Sequence, residues 1–198
     1  IAAGTQHTCI MRPAGTVECS GGGGAGQLGD GTTPVSRPTF GAIPSFDNVL
    51  MVESTGSHNC AVMADGTTWC WGAGTSGQIG DGFTSNRSSP TQVVSASKFI
   101  AVTTGQSHSC GLTATGLVYC RGANSDGQLG NNTLTPHGDP RPVQMSGDAG
   151  ALRDGKQLAG GLAHSCLLSN TGAIYCWGSN TSGQCGEAAS TYKKTAVP

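Results

Sequence analysis

Four times along this chain a cysteine is followed ten residues later by another, and each time a glycine stands six residues after the first. The pairs are Cys9 with Cys19, Cys60 with Cys70, Cys110 with Cys120, and Cys166 with Cys176. A three-residue hairpin loop is commonly a type I turn followed by a left-handed residue, and glycine tolerates positive φ best. The triplets Pro13-Ala14-Gly15, Ala64-Asp65-Gly66, Ala114-Thr115-Gly116 and Asn170-Thr171-Gly172 fit that loop, and Pro13 supplies the fixed φ that suits its start. With the turn placed there, Met63 pairs with Thr67, Val62 with Thr68, Ala61 with Trp69, and Cys60 with Cys70. Counting outward puts the cysteines on a non-hydrogen-bonded pair. There the Cα atoms lie roughly 4.5 Å apart and the side chains point the same way, a separation a disulfide spans. The spacing therefore predicts four hairpins, each with a cross-strand disulfide worth about 2.5–3 kcal/mol at most in the chain-entropy view.

The hairpins belong to a longer repeat. GSHNCAVMADGTTWCWGAGTSGQIG from Gly56 is echoed from Gly4, Gly105 and Gly160, and the leading cysteines are 51, 50 and 56 residues apart. A period near 50 made of short strands, with no helical periodicity, signals a β-propeller or β-solenoid. The expected fold is all-β, with one repeat domain over 1–198 and units of approximately 1–47, 48–97, 98–153 and 154–198. Each unit closes on a Gly-Gln-apolar-Gly tetrad, expected to bury its apolar residue where a neighbouring strand approaches closely. Gly23, Gly74, Asn124 and Asn180 share one position after the second cysteine, and that residue choice predicts φ > 0 there. Polar, proline-bearing loops are expected next, DGTTPVSRPTF, DGFTSNRSSPTQVV and NNTLTPHGDPRPVQM, each leading to an apolar strand. The third is read as the one carrying the extra residues. Its Pro136, His137, Asp139 and Arg141 form a candidate binding loop, since insertions on a loop face often bind. Ala196-Val197-Pro198 falls in the loop after the last tetrad, and the next strand is expected beyond it.

Charged residues are 11% of the 198 and the formal net charge is −1. That leaves no basic face for phosphates, so nucleic acid is not an expected partner. No apolar run is long enough for a membrane span. Nine cysteines, eight of them evenly paired, point to an oxidising compartment. A chain starting at Ile1 reads as a mature or truncated segment of a secreted precursor.

No nucleophile elbow, HExxH or phosphate-cradling loop is present, so neither catalytic residues nor a cofactor are expected. The run Gly21-Gly22-Gly23-Gly24 precedes no helix or lysine and aligns with the bend of the other units. His58 shares a strand face with Cys60 and lies near Cys70, three potential zinc ligands without a repeated fourth. Disulfides are the better reading, and no metal site is expected. His7, His58, His108 and His164 are read as structural, each bonded to backbone. Asp30 and Asp81 follow the tetrads, replaced by Asn131 and Glu187 in the other units, and fit turns better than calcium ligands. Trp69, Trp71 and Trp177 read as buried core rather than a sugar platform. Asn86, Asn131 and Asn180 begin sequons that could carry glycan, Asn180 least accessibly. Cys185 takes the tetrad place of Leu28, Ile79 and Leu129; a buried free thiol is the plain reading, and an inter-chain disulfide the alternative.

The Gly-x-x-His-x-Cys opening, the x-x-Gly turn, Cys70-Trp71-Gly72, Cys176-Trp177-Gly178 and the Gly-Gln-Leu-Gly closings resemble repeats of the regulator-of-chromosome-condensation family. Ser20 and Arg121 depart from it at the tryptophan position, and Cys185 at the tetrad leucine. The resemblance implies a propeller of four-stranded blades, usually seven. Four repeats then imply a fragment, an open arc, or completion by other copies. The eponymous member exchanges nucleotide on a nuclear small GTPase and binds chromatin, but none of its exchange loops can be placed here. Secreted relatives include a β-lactamase inhibitory protein. The resulting expectation is a non-catalytic, secreted or cell-surface structural or adhesive scaffold. Its partners would be other protein chains, copies of itself among them, with no small-molecule ligand. The alternative is a soluble binding or inhibitor module acting through its loops.

Overall fold

The computed structural model describes residues 1–33, 36–148 and 150–198. Its sixteen strands form four antiparallel sheets, and within each sheet the strands lie in chain order. The first blade holds β1 (Ala2–Ala3), β2 (His7–Met11), β3 (Val17–Gly22) and β4 (Ser36–Ala42). The second holds β5 (Val49–Ser54), β6 (His58–Met63), β7 (Thr68–Gly72) and β8 (Arg87–Gln92). In the third are β9 (Phe99–Thr104), β10 (His108–Thr113), β11 (Val118–Gly122) and β12 (His137–Pro142). The fourth consists of β13 (Gly155–Gly160), β14 (His164–Ser169), β15 (Ile174–Ser179) and β16 (Tyr192–Val197).

The central hairpins have the expected register. Val62 faces Thr68, Ala61 faces Trp69 and Cys60 faces Cys70, and Gly15, Gly66, Gly116 and Gly172 all have φ between 78° and 90°. All four bridges are present, with Cα atoms 4.1 Å apart in each.

Three expectations are corrected. The proline-bearing stretches hold the fourth strand of each blade, not only loop; of the first stretch, Pro34 and Val35 lie outside the described residues. Likewise β16 occupies Tyr192–Val197, where the chain was expected to be still in a loop. These outer strands pair on one edge only. Pro38, Pro90, Pro140, Lys193 and Lys194 stand in them, residue types that block further edge pairing and erase a strand-like pattern. Second, the extra residues of the third unit do not lie before β12, which starts seven residues after Gly130 as β8 does after Gly80. They lie between Pro142 and Gly155, where a 3-10 turn spans Ser146–Asp148 and Gln144 bridges Ala151.

Third, none of Gly23, Gly74, Asn124 and Asn180 has positive φ. The left-handed residue is the glycine two places after the second cysteine, in β3, β7, β11 and β15: Gly21, Gly72, Gly122 and Gly178, at φ 99° to 110°. Asparagine is chosen further on for its side chain. Asn124 Oδ1 accepts from Leu129 N at 2.9 Å, while its Nδ2 donates to the Thr133 and Thr135 carbonyls, both at 3.0 Å. Asn180 does the same with Cys185 N and the Ala188 carbonyl, 2.9 Å each. At Gly74 the amide comes from across the loop: Asn86 Oδ1 accepts from Gly74 N at 3.1 Å.

The core lies between blades. One apolar layer joins Leu28 and Ile43 of the first blade to Val52 and Trp71 of the second. A second joins Val62 and Ile79 to Phe99 and Val102, and a third joins Leu112 and Leu129 to Leu167 and Trp177. Each pair of adjacent blades thus buries facing sheet surfaces against one another.

Candidate functional site

The seams between blades carry a repeated polar motif that the sequence reading missed. The histidine that recurs in each unit reaches forward to the residue following the next blade's histidine. His7 Nε2 lies 2.8 Å from Asn59 Oδ1, His58 Nε2 2.8 Å from Ser109 Oγ, and His108 Nε2 2.9 Å from Ser165 Oγ. These are side-chain partners, so the expected backbone bond is corrected. The tetrad sits on the same seam. Trp71 Nε1 donates to the Gln27 carbonyl at 3.1 Å, Trp177 Nε1 to the Gln128 carbonyl at 3.0 Å, and Arg121 Nε to the Gln78 carbonyl at 3.1 Å.

The glycines of the tetrads leave room for this. A Cβ on Gly26 would lie 2.6 Å from Ser88 Cα, and one on Gly77 would lie 2.7 Å from Gly138 Cα. The tetrad therefore lies directly against the next blade's outer strand.

Burial makes the histidines neutral. His58 is held down at about 3 and His108 at about 4, chiefly because a buried imidazolium would lose its hydration. Burial also lowers His7, against its bond to Asn59, and lowers His164. The Arg121 guanidinium is fully buried and brought down to about 10 by the same loss of water.

The seam motif stops at both ends of the arc. Among the described residues the His164 imidazole has no hydrogen-bond partner and the Gln184 carbonyl accepts from no side chain. At the opposite face Thr8 and Ser20, the counterparts of Asn59 and Trp71, meet no preceding histidine or tetrad.

The other predicted residues are dispersed. Pro136 and His137 line a cavity of about 360 Å³ with Asn124 and Leu134. Asp139 and Arg141 are exposed on β12, 2.9 Å apart, and Asp139 Oδ1 is 3.9 Å from His137 Nδ1. His137 is not an inserted residue. It faces Gly122 as Arg37 faces Gly21, Arg87 faces Gly72 and Lys193 faces Gly178. That basic position explains the acidic one after the tetrads. Asp30 binds Arg37 at 2.9 Å, Asp81 binds Arg87 at 2.5 Å, and Glu187 binds Lys193. The recurring base six or seven residues after the acid was readable in the sequence.

Asn86 is exposed and Asn131 half-buried, whereas Asn180 is fully buried with its Nδ2 occupied, leaving no space for a sugar. Cys185 is a buried free thiol packed with Cys176 and Val197, and burial raises its pKa. The sulfurs that could have joined His58 on zinc are bonded to each other. Among the described residues no group of three or more His, Cys, Asp or Glu is disposed to hold a metal, and no helix is long and apolar enough to cross a membrane.

Comparison with known proteins agrees with this architecture. The regulator of chromosome condensation (RCC1) repeat matches residues 65–112 and 115–168, and a second form of the repeat matches 99–128 and 156–184. The X-linked retinitis pigmentosa GTPase regulator of Homo sapiens is 38% identical over 95 residues, which are 46% of this chain and 9% of that protein. The probable E3 ubiquitin-protein ligase HERC4 of Mus musculus is 37% identical over 97 residues, 47% of this chain and 9% of that protein. The chain therefore spans a small part of the length of these relatives. Human WBSCR16 has the same fold at a TM-score of 0.83 and 23% identity, over 99% of this chain and 51% of that one. Prp20p of Saccharomyces cerevisiae, described for its binding to Gsp1p and histones, gives a TM-score of 0.77 at 26% identity, over 100% of this chain and 50% of that one. With the repeat matched over more than half of its residues, the chain belongs to the regulator of chromosome condensation (RCC1) repeat family.

Proposed function

We propose that this arc of blades is a non-catalytic protein-binding scaffold of an oxidising, extracellular compartment, acting as a structural or adhesive component of a larger assembly. The observation that carries the reading is the seam motif, by which each blade bonds to the next. His164 and the Gln184 carbonyl on one end face, and Thr8 and Ser20 on the other, hold the chain positions through which adjacent blades bond inside the arc. A further blade, of the same polypeptide or another copy, would satisfy groups that otherwise stay half-buried without partners. The four disulfides support the oxidising setting. Size-exclusion chromatography with light scattering tests self-assembly of this chain. Mass that rises with concentration, and falls on His164→Ala, supports it. A sharp monomer at all concentrations overturns it in favour of the second reading, a soluble binder or inhibitor. The exposed Asp139–Arg141 pair on β12 favours that alternative, because exposed edge charges are available to a partner.

A further inference from the structure

A cavity of about 500 Å³ lies on the turn side of the first seam, between the loop 43–48 and the β6–β7 hairpin. Phe46, Met63 and Trp69 form its apolar floor, Pro44 one wall, and Asp47 and Asp65 its exposed acidic rim. Phe46 meets Trp69 edge-on with centroids 6.2 Å apart. Trp69 Nε1 donates to Thr67 Oγ1 at 3.1 Å, and Thr67 in turn is bound to Asp65 Oδ1, at 2.7 Å through its hydroxyl and 2.8 Å through its amide. The indole is thus held by its polar edge while part of its ring stays accessible. Asp47 Oδ1 accepts from Asn48 Nδ2 at 2.6 Å. Oδ2 of both aspartates accepts no protein donor among the described residues. One cation stands beside the cavity: Lys98, whose ammonium is bound to the Asp65 backbone carbonyl and not to its carboxylate. No lysine or arginine lines the cavity itself.

This composition is not a requirement of the repeat. The counterparts of Trp69 are Glu18, Tyr119 and Tyr175, and those of Asp65 are Ala14, Thr115 and Thr171. In the loop before the third blade, Ser97 and Lys98 stand where this one has Asp47 and Asn48. The other two tryptophans are fully buried in seams. An accessible aromatic floor under a rim of two carboxylates, with only Lys98 beside it, suits a cation with an apolar stem, because the ring face and the carboxylates attract the charge while the floor takes up the methylenes.

We propose that this cavity receives the side chain of an arginine or lysine carried by a partner protein. The proposal deepens the protein-binding reading above and rests on it; a protruding side chain fits a slot open at the surface, and charge complementarity selects its sign. The test is a titration of the intact chain with acetyl-Gly-Gly-Arg-Gly-Gly-amide, read by tryptophan fluorescence, which reports Trp69 because Trp71 and Trp177 are fully buried. Saturable binding in roughly the millimolar range is expected from one cation–π contact and solvated carboxylates. Asp47→Asn with Asp65→Asn should weaken it about five- to thirty-fold, and the asparagine at 65 keeps the acceptor for Thr67. Circular dichroism and thermal unfolding establish that this variant is folded. Equal affinity of the variant, equal binding of the same peptide with glutamate in place of arginine, or no saturable change to about 10 mM peptide, well beyond the millimolar range of such a contact, overturns the proposal. Tighter binding of tetramethylammonium than of the peptide also overturns it, assigning the cavity to a free small cation. Failure here leaves the light-scattering result untouched, so the two readings can fall separately.

Discussion

Arg121 occupies the place where the neighbouring seams hold an indole, and its Nε donates to the Gln78 carbonyl at 3.1 Å as Trp71 Nε1 does to the Gln27 carbonyl. The guanidinium fills the slot and keeps the seam bond, but at a cost. Its Nη2 meets Cys70 Sγ at 2.9 Å, its Nη1 has no partner, and it carries its charge in a fully buried site. Arg121→Ala should lose about 3–5 kcal/mol, since it leaves a large void in the seam, while the Gln78 carbonyl keeps the hydroxyl of Ser109 at 3.0 Å. Arg121→Trp should equal or exceed the parent, because it removes an uncompensated buried charge while retaining the bond. Urea midpoints of the two variants check both directions.

The buried histidines make the fold sensitive to acid. Folded-state values of about 3 for His58 and about 4 for His108 lie below the unfolded value of 6.5. Between those values the unfolded chain binds protons that the folded chain refuses, so stability must rise with pH across the window. Full stability is expected above about pH 6.5, with a loss of roughly 1.4 kcal/mol per group per pH unit on going well below it. Chemical unfolding at pH 7 and pH 4.5 measures the difference. Replacing His58 by Gln should flatten the slope.

Gly72 adopts φ 101°, and a Cβ on it would lie 2.6 Å from the Ser57 carbonyl oxygen. Gly72→Ala should therefore cost at least about 1–3 kcal/mol from the backbone conformation alone. Gly24, with nothing within 4 Å of its Cβ position and no positive φ, should accept alanine almost without effect. Thermal unfolding of the two variants gives the contrast.

Thiol titration in denaturant without reductant should find one sulfhydryl, that of Cys185. In the folded protein that thiol should react much more slowly, because it is 2% exposed and burial holds it protonated. Removing one bridge by Cys110→Ser with Cys120→Ser should cost about 2–3 kcal/mol. Cys185→Leu, which restores the residue type at Leu28 and Leu129, should be neutral or slightly stabilising, as the thermal midpoint would report.

Much of the architecture was legible along the chain because hairpins are local. Ten residues between cysteines, a glycine at the left-handed position and a non-hydrogen-bonded register together determine the disulfide, and all of that lies within one turn and two strands. The tetrads were legible for the same reason: two glycines around one apolar residue mark a close approach whatever approaches. The outer strands were not, because they pair along one edge and carry proline and lysine where a pattern would show. The choice of Asn at 124 and 180 was misread as a backbone preference, since its carbonyl and amide partners lie five to eleven residues further on.

What the sequence determined by itself is the repeat, its hairpins and their sulfur bridges. What only the tertiary structure decided is which groups meet across a seam: His58 with Ser109, Arg121 with Gln78, and the aromatic and acidic residues gathered at Trp69. Those contacts join residues about one repeat apart. They exist only once two blades are stacked, and the stacking follows from burying both faces of each sheet rather than from any local signal.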